Sequence, residues 1–117
     1  MTFEHVLAVV PVTDLDAAKA FYQKLFGREP DNNPMPVLVE WQVVPGGWLQ
    51  VFVDEERAGS GLVNFAVDDL AAHVAEVTTR GLAPGEIDGV NKGVELSTLT
   101  DPDGNLIRLI GNFRVEY

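Results

Sequence analysis

The chain has 117 residues, of which 46% are hydrophobic, and its formal net charge is −10. This length accommodates one domain, and the apolar fraction is sufficient for a packed core. The negative charge argues against nucleic acid and against anionic membrane surfaces as partners, because both are bound through cationic protein surfaces. The chain contains no cysteine, so disulfides, thiolate metal sites and a cysteine nucleophile are excluded. A neutral or apolar small molecule remains possible as a ligand.

The start of the chain, Met-Thr-Phe-Glu-His, lacks the basic region and the long apolar stretch of a secretory signal. No apolar run approaches the roughly 20 residues that are needed to span a bilayer. We therefore expect a soluble protein of the cytoplasm.

The first half of the chain reads as a strand, a helix and two further strands. Apolar, β-branched residues predict the first strand, and a change to three- and four-residue spacing predicts the helix. Thr13 or Asp14 can cap the start of this helix, and Gly27 lies near its end. The predicted elements are a strand at 3–12, a helix from Leu15 that ends near Gly27, a proline-containing loop at 31–36, and strands at 37–44 and 48–53.

The second half begins after a charged, glycine-containing stretch at residues 54–61, which has the composition of a linker. The turn Asp-Pro-Asp-Gly at residues 101–104 has proline and glycine where their backbone preferences suit a hairpin. The predicted elements are a strand at 62–67, a helix at 70–80, a possible short strand near 86–87, and a hairpin of strands 94–100 and 105–110.

The two halves show an internal duplication. Val-Thr-Asp-Leu at residues 12–15 matches Val-Asp-Asp-Leu at 67–70, 55 positions later, and a helix and strands follow each motif. Each unit is too small to bury its own sheet face, so the two units need each other. We therefore predict one α+β domain over residues 1–117, built from two tandem βαβββ repeats at about 1–56 and 60–117. Its curved, mostly antiparallel sheet would surround a groove.

Two stretches carry a family resemblance: residues 12–22 followed by Leu-Phe-Gly at 25–27, and Leu-Thr-Asp-Pro-Asp-Gly-Asn at 99–105. They resemble the vicinal oxygen chelate superfamily, also called the glyoxalase/bleomycin resistance/dioxygenase proteins. The resemblance extends over essentially the whole chain, including the duplication. The superfamily includes metal-dependent lyases, isomerases and ring-cleaving dioxygenases, and also metal-free proteins that sequester antibiotics between two subunits.

The resemblance implies four positions for metal ligands. Metal-dependent members have His, Glu, His and Glu where this chain has Leu7, Gln50, Leu62 and Arg108. Leucine donates no electron pair, and arginine places a fixed positive charge where the cation would lie. We therefore expect the usual metal site to be absent, with no metal and no cofactor.

His5 is the one residue that could still support a metal site. Residues two apart on a strand face the same side, so His5 could share a face with Leu7. No second histidine or well-placed carboxylate completes a ligand set around it. We favour a histidine at the strand end or at an interface.

The four positions that the resemblance implies indicate which strand faces point inward, and alternation along the strands then selects the other residues that line the groove. If the hairpin pairs Thr100 with Asn105, Ser97 lies opposite Arg108 and Glu95 lies diagonally from it. An ion pair between Arg108 and Glu95 is an alternative to a role of Arg108 in ligand recognition. The predicted ligand-binding residues are Leu7, Trp48, Gln50, Phe52, Leu62, Asn64, Glu95, Ser97 and Arg108.

These observations favour a metal-independent protein that binds a small organic ligand, similar to the antibiotic-sequestering members of the superfamily. The ligand would be aromatic or anionic, and the protein would be a homodimer. One alternative is a metal-dependent lyase or oxidoreductase of the glyoxalase or dioxygenase type that uses His5. Another is a metal-free enzyme in which Glu95 acts as a base near Arg108.

Overall fold

In the computed structural model, which describes residues 2–114, two helices and eight strands follow one another along the chain. The elements are β1 (Val6–Val12), α1 (Leu15–Phe26), β2 (Asn32–Met35), β3 (Leu38–Val44), β4 (Gly47–Val53), β5 (Leu62–Ala66), α2 (Leu70–Thr79), β6 (Asp88–Asn91), β7 (Val94–Thr100) and β8 (Leu106–Gly111). Neither α1 nor α2 has the length and hydrophobicity needed to span a bilayer.

The strands form two separate four-stranded sheets with the same topology. The strand order is β1-β4-β3-β2 in the first sheet and β5-β8-β7-β6 in the second. In each sheet the first strand of the repeat is parallel to the last, and the other neighbouring strands are antiparallel. The predicted α+β class and the tandem βαβββ repeats are therefore confirmed, but the two repeats form two sheets instead of the single curved sheet that was expected.

Side-chain caps set the start of both helices. The Asp14 carboxylate accepts hydrogen bonds from the backbone N–H groups of Asp16 and Ala17, at 3.0 and 3.2 Å. Asp69 caps α2 in the same way through the N–H of Ala72, at 3.1 Å. α1 ends at Gly27, whose φ of 72° lies in the left-handed region that glycine adopts without strain. Of the two predicted caps, Thr13 and Asp14, the helix uses Asp14, and its predicted end near Gly27 is confirmed.

Three strands differ from the sequence prediction, and the first of them, β1, begins at Val6 rather than at Phe3. β2 forms where the two prolines predicted a loop, and its pairing with β3 is irregular. It is the edge strand of the first sheet, where a missing N–H does not break a ladder on both sides. β6, the matching edge strand of the second sheet, begins at Asp88 rather than near residue 86.

The core is a single cluster that both halves share. Alternate residues of each sheet point toward the helices, and Trp41 and Tyr22 are its largest fully buried side chains. Helix α1 also contacts the second half directly, because the Phe26 and Phe65 rings meet edge to face at 5.8 Å. The buried apolar residues are Val10, Val12, Ala18, Tyr22, Leu25, Val39, Trp41, Leu49, Val51, Leu70, Val77, Leu99, Ile107 and Leu109.

A buried carboxylate joins the two halves. Asp101 accepts hydrogen bonds from the Tyr22 hydroxyl and the Asn105 side-chain amide, both at 2.8 Å. Its other oxygen accepts from the backbone N–H groups of Asp103 and Asn105, both at 2.9 Å. The Asn105 amide also donates to the carbonyl oxygen of Pro11 in β1. Burial, together with the negative charge of Asp101, raises the pKa of Tyr22, so its hydroxyl remains a donor.

A second contact between the two halves lies at the C-terminal ends of both helices. The Arg80 guanidinium donates from Nε to the carbonyl oxygen of Lys24 and from Nη2 to that of Leu25. These carbonyls belong to the last turn of α1, which has no partners of its own for them. Arg80 therefore completes a helix of the first repeat from the second repeat.

We expect Tyr22→Phe to lower the free energy of unfolding by about 1–3 kcal/mol, because the buried Asp101 carboxylate loses a hydrogen-bond donor. Urea unfolding followed by circular dichroism measures this change. Thr13→Val is the control, since it removes an exposed hydroxyl that also bridges the halves by donating to Asp103. An equal loss in both variants would show that burial of the Tyr22 bond is unimportant.

Candidate functional site

Each sheet has one face that packs against a helix and one that does not. In β4, Leu49 and Val51 are buried on the helix side, so the residues between and beside them point the other way. The same alternation around Ile107 and Leu109 defines the opposite side of β8. We call these sides the first and second open faces. The first comprises Leu7, Val9, Leu38, Glu40, Gln42, Trp48, Gln50 and Phe52, and the second comprises Leu62, Asn64, Ala66, Leu96, Thr98, Thr100, Leu106, Arg108 and Ile110.

The two open faces do not cover each other within one chain. Leu7 and Val9 on the first face are 52% and 51% exposed, and Leu62 on the second is 50% exposed. Contiguous exposed apolar surface of this kind is typical of a binding site or an interface.

Most of the predicted ligand-binding residues do lie on the open faces. Leu7, Trp48, Gln50 and Phe52 are on the first, and Leu62, Asn64 and Arg108 are on the second. The positions implied by the family resemblance, extended by period-two alternation, were sufficient to place these side chains on the two faces. Their role in binding a ligand stays a prediction.

The placement of Glu95 and Ser97 was wrong. In the hairpin, the N–H of Asp101 donates to the carbonyl of Asn105, so Thr100 pairs with Leu106 instead of Asn105. Thr98 therefore lies opposite Arg108, and Ser97 lies opposite Leu109. A register shift of one residue moves a side chain to the other face of a sheet.

Both side chains consequently point to the helix side of the second sheet. Ser97 is fully buried, and its hydroxyl donates to the carbonyl oxygen of Gly85 at 2.7 Å. Glu95 is paired with Gly111 and Gly89 in the ladder. Neither residue can contact a ligand on the second open face.

Arg108 is half-buried at the centre of the second open face, between Asn64 on one side and Thr98 on the other. Within residues 2–114 its guanidinium forms no hydrogen bond and no ion pair. The alternative ion pair with Glu95 is therefore not formed, because the two side chains are on opposite faces. Because the two side chains lie on opposite faces, Glu95 also cannot act as a base beside Arg108.

The positions that correspond to metal ligands do not fit a metal ion. Leu7, Gln50, Leu62 and Arg108 present two alkyl groups, a neutral amide and a cation, whereas divalent sites use imidazole and carboxylate. His5 is exposed and precedes the first residue of β1. Among the described residues no three His, Cys, Asp or Glu side chains come close enough together to hold a metal ion.

Glu40 is a polar residue of the first open face that the sequence analysis did not select. It lies opposite Gln50, whose side-chain amide donates to one carboxylate oxygen at 2.8 Å. The Asn32 amide donates to the other oxygen at 3.1 Å. The same two-residue alternation, if applied to β3, would have placed Glu40 on the first open face.

A cleft of about 780 Å³ lies between the two halves. Val43 and Phe26 of the first half and Phe65 and Val77 of the second line its apolar interior, and Trp48 and Asn64 reach it from the open faces. His73 and Asp68 lie at its mouth and are 3.1 Å apart. The backbone N–H of Asp69 and the His73 ring hold the pKa of Asp68 below its usual range.

Comparison with known proteins agrees with this architecture. The profile of the family described as "Glyoxalase-like domain" matches residues 7–110. A glyoxalase/bleomycin resistance protein from Catenulispora acidiphila DSM 44928 is 32% identical, with a TM-score of 0.86 over 92% of this chain and 96% of that one. The chain belongs to the glyoxalase-like domain family, within the vicinal oxygen chelate superfamily. A search of curated protein sequences finds no match.

Two further structures show how varied these relatives are. TnmS3, an antibiotic binding protein from Streptomyces sp. CB03234, is 25% identical, with a TM-score of 0.75 over 95% of this chain and 98% of that one. Lactoylglutathione lyase from Agrobacterium tumefaciens is also 25% identical, with a TM-score of 0.73 over 92% of each chain. Overall similarity therefore does not distinguish binding from catalysis, and the side chains of the site must do so.

Proposed function

We propose that this protein binds a small organic ligand on its open faces without a metal ion, and that Arg108 orients an aromatic or anionic group of that ligand. The observation that carries the proposal is the half-buried guanidinium of Arg108, which has no hydrogen-bond or ion-pair partner in the described part of the chain. It stands where the resemblance places a metal-ligating glutamate. The positive charge that a metal would contribute is thus contributed by the protein.

The chemistry around Arg108 supports an anionic ligand group. A partly desolvated charge without a partner is unfavourable, and a carboxylate can satisfy a guanidinium through two parallel hydrogen bonds. Asn64 and Thr98 beside it add further donors and acceptors. Leu62 and Leu106 in the next row provide apolar surface for a ring system.

A second copy of the chain is the partner that would enclose this ligand. Val6 N–H and Val12 C=O both bond toward β4, so the intervening Leu7 and Val9 direct their backbone groups to the free edge of β1. This free edge and the cleft beside it combine unpaired backbone groups with apolar side chains. Such surfaces are typical of association between chains. We therefore propose a homodimer in which open faces of two chains form each ligand site.

TnmS3 is an antibiotic binding protein, which supports an antibiotic as the class of small organic ligand for this chain. We also propose a cytoplasmic location, a compartment in which proteins are stabilised without disulfides.

Ligand binding should depend on Arg108. We expect Arg108→Met to weaken binding of indole-3-propionate and 1-naphthoate about tenfold, because each carboxylate loses a charge-assisted hydrogen bond. Isothermal titration calorimetry measures the affinities. Arg57→Met is the matched control, since it removes the same charge from a side chain that is 73% exposed and paired with Asp54. Equal weakening in both variants, or none in either, would contradict the role of Arg108.

Metal ions should have no effect on the protein. We expect elemental analysis of protein purified without chelator to find only substoichiometric metal, and Zn²⁺, Ni²⁺, Mn²⁺ and Fe²⁺ to leave the melting temperature unchanged. The reason is the ligand set of Leu7, Gln50, Leu62 and Arg108. Stoichiometric metal that is lost in His5→Ala would instead favour a metal-dependent enzyme of the glyoxalase or dioxygenase type.

The dimer should depend on the second open face. We expect light scattering to give twice the mass of one chain for the native protein, and a monomer for Leu62→Glu, because a carboxylate would be buried between apolar surfaces. Val90→Glu is the control, because Val90 is also an exposed apolar residue but lies on the edge strand β6. A native monomer, or a dimer that Val90→Glu alone disrupts, would refute this arrangement.

A further inference from the structure

We propose that Glu40 recognises a protonated amine, so that the aromatic ligand carries a cationic group in addition to the anionic group bound by Arg108. This inference rests on the proposed function and specifies the class of ligand. It assigns to the first open face a recognition group of opposite charge to Arg108.

The Glu40 carboxylate is held in one orientation by the strands on both sides of it. β4 contributes the Gln50 amide, which donates to Oε2 at 2.8 Å, and β2 contributes the Asn32 amide, which donates to Oε1 at 3.1 Å. Both donors are paired with Glu40 in the sheet register. The two amides act as a clamp, so the carboxylate is ordered before a ligand arrives and loses little entropy on binding.

The charge of this carboxylate is not neutralised. No Lys, Arg or His side chain within residues 2–114 forms an ion pair with Glu40, and both of its hydrogen-bond donors are uncharged. A carboxylate has about four acceptor positions, so each oxygen can accept a further hydrogen bond. The group that best completes such a site supplies both a positive charge and N–H donors, as an ammonium does.

The neighbouring side chains also favour an organic cation. Trp48 and Phe52 lie on the same face of β4, on either side of Gln50, and both are diagonal to Glu40. Aromatic faces attract cations and stack on planar rings. An inorganic cation would gain little from these rings and would need further oxygen ligands. An amine attached to an aromatic frame can use both the carboxylate and the rings.

The two charged residues lie in equivalent rows of the two sheets, Glu40 on the third strand of its repeat and Arg108 on the fourth strand of the other. Glu40 is in the row Val9, Gln50 and Glu40 of the first sheet, and Arg108 is in the matching row Asn64, Arg108 and Thr98 of the second. Each row has a single charged side chain, and the two have opposite sign. If an open face of one copy closes over that of another, a ligand between them meets a carboxylate and a guanidinium.

The two charges can be tested separately with ligands built on one indole frame. Tryptamine carries the amine, indole-3-propionate carries the carboxylate, and N-acetyltryptamine is the uncharged counterpart of tryptamine. We expect Glu40→Gln to weaken tryptamine binding about tenfold and to leave indole-3-propionate and N-acetyltryptamine unchanged. Calorimetry measures the affinities, and the side-chain amide resonances of Gln50 and Asn32 should shift on tryptamine binding only while Glu40 is present.

Glu95→Gln is the matched control, because it removes the same charge from the helix side of the second sheet. Equal weakening of tryptamine by both substitutions would mean that only the overall negative charge acts, and would overturn the inference. Tryptamine binding that Glu40→Gln does not change would also overturn it, while Arg108-dependent binding of indole-3-propionate would leave the proposed function standing. Failure of both charged ligands to bind would remove the proposed function and this inference together.

Discussion

The hydrogen bonds of the Asp101 carboxylate are the interaction on which the rest of the structure depends. Through Tyr22 and Asn105, whose amide also reaches Pro11, they connect the hairpin of the second repeat to the helix and first strand of the first. A buried carboxylate is stable only when its acceptor positions are filled, so the two repeats must dock in one orientation. That docking buries the helix sides of both sheets in one core and leaves both open faces exposed.

The same turn decides which residues form the candidate site. The N–H of Asp101 bonds to the carbonyl of Asn105, and Gly104 between them has a φ of 101°. This closure sets the pairing of β7 with β8, and so places Thr98 rather than Ser97 beside Arg108. The Asp101–Asn105 turn therefore has two effects. It connects the two repeats, and it determines which side chains lie on the second open face.

The open faces differ from a metal site in how they present charge. A metal centre concentrates positive charge at one point among several ligands. Here a carboxylate at Glu40 and a guanidinium at Arg108 lie on separate sheets, each surrounded by neutral polar and apolar side chains. Fixed charges of this kind can orient a ligand but do not polarise it as a divalent ion does.

The sequence by itself determined the features that depend on local periodicity. These include the two repeats, the cap at Asp14 and the faces of the strands that carry Gln50 and Arg108. Three features required the tertiary structure. The edge strand β2 exists because β3 offers it a partner, and the hairpin register follows from bonds between Asp101 and Asn105 that no alternation pattern encodes. Alternation alone is enough to place Glu40 on the first open face, but its hydrogen bonds with Gln50 and Asn32 exist only because strand pairing brings these side chains to it. Periodicity specifies which side chains of one strand share a face. Long-range hydrogen bonds decide which strands pair and in which register, and so which side chains become neighbours.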